Sequence, residues 1–205
     1  MKALILVDIQ NDFLPGGALA VTNGDAVIPV ANDMMNHFPV VVATQDWHPA
    51  GHQSFASSHE GHAIGDMIDL HGLPQILWPD HCVQNSFGAK FAADLNTDVI
   101  QKVFTKGSNP KVDSYSGFFD NGKRGDTGLS DWLKNKGVTH VYVMGLATDY
   151  CVKFTALDAV TEGFRTTVIS EGCRAVNLQE GDEAAAYEEL EAAGVEVAFE
   201  LAKVA

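Results

Sequence analysis

Val141-Tyr-Val-Met-Gly-Leu-Ala-Thr-Asp-Tyr-Cys-Val152 passes from an unbroken apolar run into a segment of helical period, with no linker between them. A strand with one solvated face alternates apolar and polar residues. Val141–Met144 does not alternate, so both of its faces are covered. The helix that follows runs from about Thr148 to Glu162, and Gly163 stands where a left-handed residue commonly ends helices. The same rhythm recurs on either side. Ala3-Leu-Ile-Leu-Val7 reads as the first buried strand, followed by a helix over about 24–37. Val40-Val-Val-Ala43 is the second strand, Val99–Thr105 a weaker third, and a helix from near Asp126–Thr127 stops at Gly137. After the quoted stretch come a fifth strand, Thr166–Ile169, an alanine- and glutamate-rich helix over about 180–193, and a sixth strand, Val195–Phe199. Apolar strands alternating with helices define an α/β fold, a three-layer sandwich about a six-stranded, mainly parallel sheet.

A length of 205 residues fits one domain, 1–205, large enough to hold a core without disulfide staples. The formal charge is −14, which repels nucleic acid phosphates and anionic lipid, so neither is an expected partner. No apolar run is long enough to span a bilayer. The apolar N-terminal run ends in Asp8, Gln10, Asn11 and Asp12 rather than in small residues, and reads as a strand, not a signal core. Cys82, Cys151 and Cys173 lack C-x-x-C spacing and leave one unpaired, which fits a reducing cytoplasm. One region breaks the rhythm. Residues from about 44 to 98 read mostly as loop, rich in Gly, Pro, Ser and His, and a loop this long usually carries function.

Six of the eight histidines (His48, His52, His59, His62, His71 and His81) fall in that loop. Asp46 and His48 leave the second strand two residues apart, so they face the same way and suit one metal ion. His81, in the proline-stiffened Trp78-Pro79-Asp80-His81, is a candidate third ligand. On spacing alone a solvated loop that simply collects imidazoles fits as well. Cys151 falls in the first turn of its helix, behind Thr148 or Asp149 as N-cap. There, unpaired N–H groups and the helix dipole favour a thiolate and could receive an oxyanion. Alternatively Cys151 is small apolar filler, as most unoxidised cysteines are. Asp8, Asp46, His48, Lys106 and Cys151 all lie just past strand ends, the edge on which parallel sheets bind ligands. No G-x-G-x-x-G, P-loop or G-x-S-x-G motif is present.

In combination, several motifs resemble those of the isochorismatase-like cysteine hydrolases, and within them the nicotinamidase branch. They are Val7-Asp8-Ile-Gln-Asn-Asp-Phe13, Thr44-Gln-Asp46-Trp-His48-Pro49 and Trp78-Pro-Asp-His81-Cys-Val83. To these add Lys106-Gly107 with Asp113-Ser-Tyr115-Ser-Gly-Phe118, and Gly145–Val152. The resemblance covers nearly the whole chain. It implies a nucleophile at Cys151, a base at Asp8 and a third catalytic residue at Lys106. It also implies a divalent metal, zinc or iron with manganese equally suited to the donors, on Asp46, His48 and His81. Some members add a ligand, for which His52, His59 or Glu60 could serve. A non-proline cis peptide would map to Leu146–Ala147, aiming the N–H groups of Ala147 and Cys151 at one oxyanion. Phe13, Trp78 and Tyr115 match the aromatic walls of the family's pyridine pocket.

The implied reaction converts nicotinamide to nicotinate and ammonia through a cysteine thioester, in NAD salvage. The partner is then a small-molecule amide, and self-association as a homo-oligomer follows at family level only. The alternative is a metal-independent sister amidase acting on an N-carbamoyl or other small amide. A non-catalytic partner domain predicts damage among Asp8, Lys106 and Cys151, where none is visible. A metal-storage role leaves those three residues unexplained.

Overall fold

The computed structural model describes residues 1–199. Its sheet is built from β1 (Lys2–Val7), β2 (Val40–Asp46), β5 (Lys102–Lys106), β6 (His140–Leu146), β7 (Arg165–Arg174) and β8 (Glu196–Ala198). The remaining strands, β3 (Met67–Leu70) and β4 (Leu73–Ile76), form a separate antiparallel hairpin. The helices are α1 (Val27–Met34), α2 (Leu129–Asn135), α3 (Lys153–Thr161) and α4 (Asp182–Ala192). The large sheet has the order β5-β2-β1-β6-β7-β8, and each of its neighbouring pairs is parallel. Because β1 lies between β2 and β6 with helices over the sheet, Ala3 to Val7 are buried without alternation. The α/β sandwich expected from the strand pattern is the one observed.

Several boundaries differ from the sequence reading, each for a physical reason. β2 and β6 continue past their apolar runs to Asp46 and Leu146, because parallel pairing is satisfied by main chain whatever the side chain. β7 likewise runs on through Arg174, past an irregularity opposite Val143 and Gly145. The third expected strand starts late: Thr97–Val99 is a 3-10 turn, and β5 begins at Lys102. The span 24–37 is helical throughout but changes type, with 3-10 turns at Gly24–Ala26 and Met35–His37 around α1. The region 44–98, expected mostly as loop, contains the β3–β4 hairpin. Its two-residue turn, His71-Gly72, has φ of 54° and 87°, the paired positive values of a tight hairpin turn. Pro74 and the short strands concealed it in the sequence. No described helix is long and apolar enough to cross a membrane.

The strands run parallel, so their carboxyl ends share one edge. Register then sets residues side by side there: Asp46 opposite Lys106, and Val7 opposite Gly145. Gly145 has a φ of 128°, and a Cβ built on it would stand 2.1 Å from the Val7 carbonyl oxygen. Only glycine tolerates both the conformation and the approach. Gly145→Ala is therefore expected to cost at least about 1–3 kcal/mol in urea unfolding. It should also displace the end of β1, on which Asp8 sits.

Candidate active site

Asp8 is the first residue beyond β1, with a φ of 49° that turns the chain as the strand ends. Its fully buried carboxylate is held at both oxygens. Thr44 Oγ1 donates to Oδ1 at 2.6 Å, and Lys106 Nζ lies 2.8 Å from Oδ2. The Lys106 ammonium is itself buried. It donates to Asp46 Oδ1 at 2.6 Å, to the Ser114 carbonyl at 2.9 Å and to Cys151 Sγ at 3.4 Å. A carboxylate oxygen from each of Asp8 and Asp46 and the Cys151 sulfur all lie within 4.8 Å of one another. Asp8, Lys106 and Cys151, read from three different strand ends, thus meet at one point.

Burial dominates the electrostatics, and neighbouring charges then sort the groups. Burial pushes Asp8 up to about 6, against the pull of the Lys106 ammonium. At Asp46 burial works the same way, but Lys106 and then His48 outweigh it and hold the carboxyl well below its ordinary range. Burial alone would lower Lys106, yet the two carboxylates raise it well above its ordinary value, so it stays charged. Cys151 moves the other way from the sequence expectation. Burial raises its thiol well above the usual range, against the pull of Lys106 and with the carboxylates of Asp8 and Asp46 adding to the rise. Burial thus favours the neutral thiol over the thiolate.

The helix at Cys151 also opens differently from the expectation. Thr148–Val152 is a single wide π turn leading into α3, and no side chain caps it. The N–H groups of Tyr150 and Val152 both reach the Ala147 carbonyl, bracketing Cys151. Thr148 donates instead to Glu183, and Asp149 accepts the N–H groups of Val176 and Asn177. The Leu146–Ala147 peptide is cis.

Asp46, His48 and His81 are buried, and each offers a ligand atom within 4.8 Å of the other two. Each imidazole bonds a main-chain carbonyl through Nδ1: His48 with Gly107 at 2.9 Å and His81 with Pro79 at 2.8 Å. Donating there would leave each Nε2 as a lone pair, 3.8 Å from Asp46 Oδ2. The His48 Nε2 is buried and has no hydrogen-bond partner. A buried imidazole nitrogen without a partner beside an ionised carboxylate calls for a cation, so these donors fit a divalent metal. Gly107, with a φ of 67°, makes room for this arrangement, since a Cβ there would stand 2.4 Å from the His48 ring.

Of the other candidate ligands, His52 lies in a second buried group with His48 and Asp113, their ligand atoms within 4.8 Å of one another. Both nitrogens of His52 are bonded, to Ser54 Oγ and the Asn109 carbonyl. His59 bonds the Gln53 carbonyl, and Glu60 is exposed.

In front of the sulfur lies a pocket with about 350 Å³ of free space, mouth included, lined by Phe13, Trp78, His81, Tyr115, Ala147 and Cys151. Trp78 Nε1 donates to the Tyr115 hydroxyl at 3.1 Å, locking the two rings near perpendicular. Asp46 with Leu19, Asp113, Tyr150 and Val176 completes the lining, and the sequence reading missed the last four as pocket residues. Tyr150 had a signal, since it precedes Cys151 in the strand-to-helix motif. Leu19 and Val176 had none: each is an ordinary apolar residue brought in by remote chain.

A cysteine, a carboxylate and an ammonium thus meet at the edge of a parallel α/β sheet and face an aromatic pocket, an arrangement suited to a small-molecule hydrolase. The Isochorismatase domain family model matches residues 2–198, and the chain belongs to that family. The nicotinamidase of Escherichia coli is 54% identical over 199 residues, covering 94% of this chain and 92% of its own. The crystal structure of the yeast nicotinamidase bound to the inhibitor nicotinaldehyde superposes with a TM-score of 0.93 at 32% identity. That match covers 98% of this chain and 100% of the yeast one. A pyrazinamidase of Pyrococcus horikoshii in complex with zinc gives a TM-score of 0.78 at 38% identity, covering 96% and 98% of the two chains.

Two outcomes follow from the electrostatics. With Asp8 as the proton acceptor, kcat/KM should hold above about pH 6 and fall about tenfold per pH unit below it, as the carboxylate fills. A profile flat down to pH 4.5 would remove Asp8 from that role. Lys106→Met should slow alkylation of Cys151 by iodoacetamide at neutral pH about tenfold or more, because the cation that offsets the carboxylates is gone. Near-UV circular dichroism checks that the variant is folded.

Proposed function

We infer that this site hydrolyses nicotinamide to nicotinate and ammonia through a thioester on Cys151. One observation carries this reading. A single buried ammonium, Lys106, touches both the nucleophilic sulfur and the carboxylate base, at the foot of an aromatic pocket beside a metal-type donor cluster. The chain is a hydrolase of the nicotinamide amide bond, consistent with NAD salvage. The strong identity to nicotinamidases over almost the full chain supports this assignment.

The ring of the substrate lies among Phe13, Trp78 and Tyr115, which exclude water and fix its plane. Asp8, a stronger base than an ordinary aspartate, takes the Cys151 thiol proton. Lys106 stays charged and compensates the negative charge that moves onto sulfur. The thiolate forms a bond to the amide carbon, whose oxygen becomes an oxyanion directed at the N–H groups of Ala147 and Cys151. Asp8 returns the proton to the amide nitrogen as the C–N bond breaks, releasing ammonia and leaving the thioester. Asp8 then takes a proton from water as that water attacks the thioester carbon. The C–S bond breaks, nicotinate leaves and the sulfur regains its proton from Asp8.

Asp46, His48 and His81 would hold a divalent ion, zinc or iron, which supplies a Lewis-acid contact for the pyridine nitrogen and so orients the ring. The metal-independent sister reading leaves the partnerless His48 Nε2 without a purpose.

Cys151→Ala should lower ammonia release from nicotinamide by more than about a thousandfold while leaving the fold intact. Substantial turnover in that variant would place the nucleophile elsewhere. Thorough chelation should raise KM for nicotinamide or abolish turnover, with recovery on adding zinc or iron. Indifference to metal removal would take the ion out of the scheme.

A further inference from the structure

The segment Asp8-Ile9-Gln10-Asn11-Asp12-Phe13 supplies a base and a pocket wall, and leaves Gln10 and Asp12 with no part in the chemistry. Gln10 is fully buried, and main chain saturates its carboxamide. Its Nε2 donates to the carbonyls of Asp46 at 2.9 Å and Ala89 at 2.8 Å, while Oε1 accepts the Asp46 N–H at 2.8 Å. Both main-chain polar groups of Asp46 therefore answer to one side chain. Reversing the amide would set donor against donor and acceptor against acceptor, so its orientation is fixed.

Asp12 acts on the segment that carries His81. Its Oδ2 accepts the Cys82 N–H at 2.7 Å, and its Oδ1 accepts the Ala18 N–H at 3.3 Å. Cys82 directly follows His81 and has a φ of 46°, a left-handed conformation that a non-glycine residue holds only with support. Its carbonyl accepts the His48 N–H at 3.0 Å. The Cys82 backbone thus joins two of the three donors, and Asp12 anchors it.

We propose that Gln10 and Asp12 are positioning residues of the metal cluster: Gln10 sets the main chain of Asp46, and Asp12 sets the Cys82 link between His81 and His48. This rests on the metal role assigned above to Asp46, His48 and His81. Donors from two separate segments, Asp46–His48 and His81, bind tightly only if their spacing is fixed before the ion arrives. Loss of an outer partner of this kind typically weakens metal binding about 10–100-fold.

The test is zinc affinity of the metal-stripped full chain, measured by competition with a chromophoric chelator, with thermal melting of the same stripped samples. Gln10→Met and Asp12→Ala should each weaken zinc binding about 10–100-fold. Asp12→Asn keeps an oxygen to accept the Cys82 N–H and should bind zinc close to the unaltered chain. Should Gln10→Met fail to fold, Gln10→Glu serves: it keeps the acceptor for the Asp46 N–H, loses both donors, and should still weaken zinc binding. Unaltered zinc affinity in the folded Gln10 and Asp12→Ala variants overturns the proposal, as does equal damage from Asp12→Asn and Asp12→Ala. Asp46→Ala and His81→Ala run alongside. If these also bind zinc normally, the metal reading itself falls. If they lose zinc while the Gln10 and Asp12 variants keep it, only the positioning role falls.

Discussion

A buried ammonium between two buried carboxylates is the constraint on which the rest of the site depends. Lys106 holds Asp8 and Asp46 at 2.8 and 2.6 Å and reaches the Cys151 sulfur at 3.4 Å. Without it, two carboxylates would face each other and a nucleophile in a region shielded from water, where like charges cannot all persist. With it, the two acids are driven apart in character. Asp46 stays ionised and belongs to the metal-type cluster, while Asp8 is raised to about 6 and becomes a base suited to neutral pH. One cation thus joins the cysteine and the raised carboxylate to the metal-type donor cluster.

The sheet makes this coupling geometrically easy. Parallel strands deliver their carboxyl ends to one edge, and the Asp46–Lys106 register is a direct consequence of β2 pairing with β5. The loops then only have to bring in His81 and the aromatic walls. Main chain does much of that work. The His48 N–H bonds the Cys82 carbonyl, and the Trp47 N–H bonds the Lys106 carbonyl, tying the loop after β2 to both of its neighbours.

Much of the site is legible in the chain because chemistry-bearing residues sit at recognisable places: Asp8 after an apolar run, Cys151 where a strand becomes a helix, Asp46 and His48 two residues apart. Other features were not legible. The cap expected from Thr148 or Asp149 gave way to longer-range bonds with Glu183, Val176 and Asn177, which no local pattern announces. The upward push that burial gives the Cys151 thiol was not legible either, because burial is set by remote chain and not by the local helix start. The β3–β4 hairpin escaped notice because four-residue strands containing a proline carry almost no periodic signal.

By itself, then, the sequence determined the strand and helix order, the net charge of −14, and the set of residues able to do acid–base, nucleophilic and metal chemistry. Periodicity and charge are local or additive properties, so they survive without coordinates. The tertiary structure decided which of those residues share a space and in what ionisation state. It tied His52 and His59 into hydrogen bonds with nearby groups and left Glu60 exposed, left His48 Nε2 without a partner, and added Leu19, Asp113, Tyr150 and Val176 to the pocket. Distance and burial between remote segments fix those outcomes, and neither is written in any stretch of neighbouring residues.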